Sequence, residues 1–118
     1  MNIEEYRDYC LTKPGVTEGF PFDQKVLVFK VMGKMFALTD VDKFDGVNLK
    51  CDQDRAMELR ETNPGIAPGF HMNKSNWNTV STDGSVDNPL FYDLIDHSYN
   101  EVVKGLTQKL KEELKKLS

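Results

Sequence analysis

Residues Phe70-His71-Met72-Asn73-Lys74-Ser75-Asn76-Trp77 put an imidazole, two amides, an ammonium group and an indole into one short run. Such a set can hydrogen-bond, stack and neutralise charge together, and loops held on a rigid scaffold are where binding groups concentrate. Structural duty competes for the same side chains. His71 and Asn73 could satisfy backbone groups of an irregular loop, and Trp77 could fill the core. A second set is the outward strand face of Lys25, Lys30, Lys34, Asn48 and Lys50. Those ammonium groups suit phosphate contact, and they suit solvation and edge protection equally well.

Catalytic signatures are missing. The chain has no phosphate-cradling Gly-x-x-x-x-Gly-Lys-Ser/Thr, no Gly-x-Gly-x-x-Gly and no Gly-x-Ser-x-Gly. His71 and His97 are too few for a His-rich zinc site, and Cys10 and Cys51 lack metal-ligand spacing. Both cysteines read as small buried thiols of a reducing compartment. Asp93 and His97 stand four apart on a predicted helix, a spacing open to an acid–base pair but common on helix surfaces. The aspartates between Asp40 and Gly46 lack the ligand set of a calcium loop. No catalytic residue, metal or cofactor is therefore expected, and the chain does not read as an enzyme.

The length of 118 residues and a hydrophobic share of 39% allow a single core, read as one domain over 1–118. The formal net charge of −4 opposes sequence-independent binding to nucleic acid unless cations gather on one face. No apolar run approaches the roughly 18–20 residues that span a bilayer. Met1-Asn2-Ile3-Glu4-Glu5 is acidic and unlike a signal peptide. A monomeric cytoplasmic protein without membrane contact is the expectation.

These groups must be positioned by a mixture of helices and strands. Asn2 and Glu5 form an approximate capping box for a first helix, which Lys13-Pro14-Gly15 stops. Phe20 and Phe22, in Phe20-Pro21-Phe22-Asp23, are expected to plug the end of the core. Residues 25–39 read as a β-hairpin with Gly33-Lys34 in a type II′ turn. That register sets Val31 opposite Phe36 and Phe29 opposite Leu38, all on one buried face. Val47, Leu49 and Cys51 mark a third strand, and Asp52 caps a helix to about Thr62. Residues 66–75 are the least regular stretch, before a strand from Trp77 to Ser81. Asn88-Pro89 opens a long helix with Phe91, Leu94, Ile95, Ser98, Val102 and Leu106 as its apolar stripe. A short amphipathic helix over 107–117 ends the chain.

Along nearly its whole length the chain resembles the MmcQ/YjbR-like family of small bacterial proteins. The resemblance is carried by Lys13-Pro14-Gly15, Phe20-Pro21-Phe22, Phe29-Lys30-Val31, Gly33-Lys34-Met35-Phe36-Ala37 and Val47-Asn48-Leu49-Lys50-Cys51. It continues through Pro68-Gly69-Phe70-His71-Met72-Asn73-Lys74, Trp77-Asn78-Thr79-Val80 and Asp83-Gly84. Position 76 departs from the pattern, being Asn where relatives often carry His. The resemblance implies an α+β fold of frataxin-like (CyaY-like) architecture, an antiparallel sheet with helices packed on one face. It also implies a DNA-binding role through a double wing of hairpin and loop, with no catalytic activity or cofactor. On that reading Lys30, Lys34, Lys50 and Lys74 contact phosphates, while His71, Asn73 and Trp77 lie at a groove or stack on a base. The alternative is a protein- or small-ligand-binding adaptor that uses the loop from His71 to Trp77.

Overall fold

The N-terminal capping box forms: Asn2 Oδ1 accepts the Glu5 N–H at 2.8 Å, and Glu5 Oε1 accepts the Asn2 N–H at 3.2 Å. It opens α1 (Ile3–Leu11) in the computed structural model, which describes residues 1–117. There follow β1 (Val16–Gly19), β2 (Val26–Val31), β3 (Lys34–Asp40), β4 (Gly46–Lys50) and α2 (Gln53–Thr62). The chain continues through β5 (Ile66–Pro68), β6 (Trp77–Ser81), α3 (Asn88–Lys104) and α4 (Gln108–Lys115). All six strands form one sheet in the order β1-β2-β3-β4-β6-β5, and every neighbouring pair is antiparallel. The class is α+β. The edge strands β1 and β5 go beyond the sequence reading, because three or four residues carry too little periodicity to be seen.

The hairpin departs from its expected register. Met32 and Gly33 both take positive φ, at 50° and 84°, so they are the central pair of the turn rather than Gly33-Lys34. Two positive φ values in succession are what a type I′ turn requires. Val31 accordingly pairs with Lys34, Phe29 with Ala37 and Val28 with Leu38. A register shift between Phe29 and Lys30 leaves Phe36 as the extra residue of a bulge. Phe36 and Ala37 are both fully buried. Leu38 leaves the face of Phe29 and joins Val28 on the other side, since one step of register exchanges the two faces.

One side of the sheet meets all four helices. Leu27, Phe29, Val31, Phe36, Val47, Leu49 and Val80 pack there against Tyr6 and Cys10 of α1, Ala56 and Leu59 of α2, and Leu114 of α4. Phe91, Leu94, Ile95, Ser98 and Val102 of α3 are buried against them as expected, Leu106 is buried just past the end of the helix, and Ser98 Oγ donates to the Phe36 carbonyl at 2.5 Å. The cap of α3 is Asp87, whose Oδ1 accepts the Leu90 N–H at 2.9 Å, so Asn88 and Pro89 already lie in the first turn. Among the described residues no helix is long and apolar enough to cross a membrane.

The other side carries a separate cluster of Val28, Leu38 and Trp77, with Val26, Met35 and Met72 packed around it. No helix belongs to this cluster. Phe20 and Phe22 do not plug the core, being 49% and 65% exposed beside this open face. Pro21 and Phe22 lie at a bend of the chain between β1 and β2.

Candidate functional site

The open face is floored by alternate residues of the central strands. Val26 and Val28 of β2, Leu38 of β3, Asn48 of β4 and Thr79 of β6 fall on it, because Val28 pairs with Leu38, Leu38 with Asn48 and Asn48 with Thr79. A groove of about 880 Å³ lies on this floor, lined by Phe22, Val26, Met35, Leu38, Pro68, Phe70, His71 and Met72 among others. That volume falls in the range of small-molecule sites, which are mostly apolar with a few placed polar groups.

One wall is the segment between β5 and β6. Phe70 is 67% exposed, yet both of its backbone groups are tied to the sheet. Its N–H donates to Thr79 Oγ1 at 2.9 Å, its carbonyl accepts from Asn48 Nδ2 at 2.9 Å, and Thr79 Oγ1 donates to Asn48 Oδ1 at 2.5 Å. His71 follows at φ 59°, with its ring 4.0 Å from that of Phe70. A histidine in the left-handed region is uncommon, and such conformations persist where the surroundings enforce them. Gly69 approaches β6 so closely that a Cβ there would lie 2.7 Å from Trp77 Cβ.

Arg60 of α2 braces the same segment from the helix side. Its Nε donates to Asn78 Oδ1 at 2.6 Å, and its Nη2 donates to the carbonyls of Trp77, at 3.1 Å, and Lys74. Asn78 in turn donates to the Ala56 carbonyl at 3.3 Å. The opposite wall is Phe22, next to an Asx turn in which Asp23 Oδ1 accepts the N–H groups of Lys25 and Val26, both at 2.8 Å. Those bonds hold the Asp23 carboxyl below its usual range.

The residues singled out by sequence divide into three groups. Lys30 and Lys50 share one end of the open face, since Lys30 pairs with Met35 and Lys50 with Trp77, whereas Lys34 stands at the same end of the sheet but pairs with Val31, whose face is the helix-covered one. One strand, β3, separates Lys30 from Lys50, two inter-strand spacings or about 10 Å. None of these lysines, nor Lys74, forms an ion pair among the described residues. Lys74 instead turns back, its Nζ donating to the Gly69 carbonyl at 2.9 Å.

Trp77 is only 8% exposed, wedged against Val28 and Leu38, so its ring is not a free platform for a base. Asn73 Oδ1 accepts the Ser75 N–H at 2.9 Å, a local turn contact. Of His71, Asn73, Lys74 and Trp77, only His71 lines the groove.

The Asp93–His97 pair does not form. Asp93 binds Arg55 at 2.6 Å, and His97 Nε2 accepts the Asp52 N–H at 3.1 Å. Cys10 and Cys51 are buried and free, and burial pushes their thiols up to about 12 and about 11. Among the described residues no group of three or more His, Cys, Asp or Glu is placed to hold a metal ion.

The sequence reading passed over Asn48 and Thr79 as clamps, Arg60 as a brace, and Phe22 as a wall. The signal for Phe22 was available: an aromatic flanked by proline and a turn-forming aspartate sits outside any helical or strand period.

A family model described as YjbR matches residues 11–101. The uncharacterized protein YjbR of Escherichia coli K12 is 34% identical over 110 residues, covering 92% of this chain and 93% of that protein. The uncharacterized protein YbdF of Escherichia coli O157:H7 is 35% identical over 107 residues, covering 90% and 88%. Among solved structures, the Deinococcus radiodurans protein DR2400, of domain DUF419, superposes with a TM-score of 0.89 at 42% identity. That match covers 96% of this chain and 87% of the other.

Proposed function

The chain belongs to the YjbR family, and from that premise we propose that it is a binding module without chemistry of its own, holding an apolar ligand on the open face of its sheet between Phe22 and Phe70. The observation that carries this reading is the Phe70 clamp. A ring 67% exposed to water gains nothing for the fold, yet two hydrogen bonds fix its backbone to β4 and β6, and a third joins the two side chains that make them. Fixing an aromatic in place before a ligand arrives lowers the ordering cost of binding. Met35 and Met72 beside it adapt to varied apolar shapes. A non-enzymatic, monomeric, cytoplasmic role is part of the same proposal.

Equilibrium dialysis with a neutral aromatic probe, 2-(1-naphthyl)ethanol, tests it. The expected result is binding that weakens about tenfold in the Phe22→Ser, Phe70→Ser double variant, the equivalent of ~1.4 kcal/mol of lost ring contact. Equal binding by both proteins would remove the groove from consideration.

One observation favours a second reading, DNA bound through the double wing of hairpin and loop. The strand register gathers Lys30 and Lys50 at one end of the open face, with Lys34 at the same end of the sheet on its other side, although the whole chain carries −4. On this reading fluorescence anisotropy with duplex DNA at low salt detects binding that falls steeply with added salt, and the three Lys→Gln changes abolish it. Absence of any signal at high micromolar protein would end it. The frataxin-like architecture implied by the resemblance belongs with this second reading and brings no iron chemistry, since fold does not carry function.

A further inference from the structure

We infer that the ligand of this groove is a small aromatic amine, its rings between Phe22 and Phe70 and its protonated nitrogen against Asp40 and Asp45. The inference rests on the groove being the binding site and goes further by naming the chemistry of the occupant. The charged side chains that line the groove are Asp40, Asp45 and Lys43. Two carboxylates against one ammonium leave the lining at −1 with His71 counted neutral.

Both acids sit at one end of the floor, where Val26 pairs with Asp40 and Asp45 precedes Gly46. Asp40 Oδ1 accepts the N–H groups of Asp42, at 2.9 Å, and Lys43, at 3.2 Å, which fixes the carboxylate and leaves Oδ2 without a hydrogen bond from the described residues. The Asp45 carboxylate accepts no hydrogen bond from within the chain among the described residues and is exposed. Lys30, Lys34, Lys50 and Lys74 lie outside the groove. An anion on this floor would therefore meet two carboxylates with Lys43 as its sole lining ammonium. A cation attached to an apolar ring system finds the rings of Phe22 and Phe70 and the carboxylates of Asp40 and Asp45 in one groove. The volume of about 880 Å³ is that of a small-molecule site rather than a folded partner.

The test is calorimetry on the full chain at low salt with three matched probes: 2-(1-naphthyl)ethylamine, 2-(1-naphthyl)ethanol and 1-naphthylacetate. The amine is expected to bind tighter than the alcohol by about fivefold, the upper range for a partly exposed ion pair, and the acid to bind weakest. Asp40→Asn with Asp45→Asn should bring the amine down to the alcohol and leave the alcohol unchanged. Asp45→Asn alone, at an exposed side chain, should give part of that loss and guards against an effect on folding. Alcohol and amine binding equally, or the acid binding tightest, overturns the amine while leaving the groove standing. Loss of no probe on Phe22→Ser, Phe70→Ser, or no binding of any probe, overturns the groove itself and this inference with it.

Discussion

Asn48 and Thr79 face each other across the β4–β6 ladder, and the Thr79 hydroxyl donates to the Asn48 side-chain oxygen over 2.5 Å. The same Thr79 oxygen accepts the Phe70 N–H, and the Asn48 amide nitrogen donates to the Phe70 carbonyl. Three hydrogen bonds thus close a ring between two strands and a loop residue whose side chain stays in water. A ladder position is rigid, so the ring of Phe70 inherits the rigidity of the sheet.

Thr79→Val keeps the shape of the side chain and removes both of its hydrogen bonds. The expected loss of stability is about 1 kcal/mol, because the freed groups lie near water and are resolvated. Amide exchange at Phe70 should quicken while that of Val47 and Val80, buried in the ladder, stays slow. Unchanged exchange at Phe70 would show that the clamp does not hold the wall.

Arg60→Met keeps an apolar stem over the core and removes the guanidinium. Asn78, which is buried, then loses the partner of its Oδ1, and the Lys74 carbonyl loses its own, while the Trp77 carbonyl keeps the Gly69 N–H. A buried polar group left unsatisfied costs about 1–3 kcal/mol. Urea unfolding should show a loss near the top of that range, with enhanced proteolysis between Phe70 and Asn76.

His97 gives the fold a pH dependence. Its Nε2 accepts the Asp52 N–H, which requires the neutral ring, and burial followed by the nearby Arg55 holds its pKa below the ordinary value. As pH falls the unfolded chain takes up the proton first, near 6.5. Stability from this group is complete above that value and declines below it. The urea midpoint should therefore fall between pH 7.5 and pH 5.5, and His97→Gln should flatten much of that change. An equal slope in the variant would assign the dependence elsewhere.

Much of the scaffold was legible because it repeats. The stripe from Phe91 to Leu106, the cap at Asp52 and the alternation of Val47 and Leu49 each restate one period several times. The hairpin was legible in existence but not in register. Gly33 fits either the first or the second central position of a turn, and only the conformation of Met32 decides between them. The site was less legible because its parts are single residues. Asn48 and Thr79 become clamps only once β4 and β6 pair, a contact that spans more than thirty residues and leaves no local pattern. Trp77 failed as an exposed group for the same reason: the face it lies on depends on that pairing.

The methionine methyl groups offer the most direct test of the groove. Of the five methionines, Met35 and Met72 line it, while Met1 and Met32 pack at the helix-side core and Met57 is exposed on α2. With the methyls labelled with carbon-13, a titration with 2-(1-naphthyl)ethanol should shift the Met35 and Met72 resonances together and leave the other three in place. Shifts centred on Met1, Met32 or Met57, or none at millimolar probe, would contradict a ligand seated between Phe22 and Phe70.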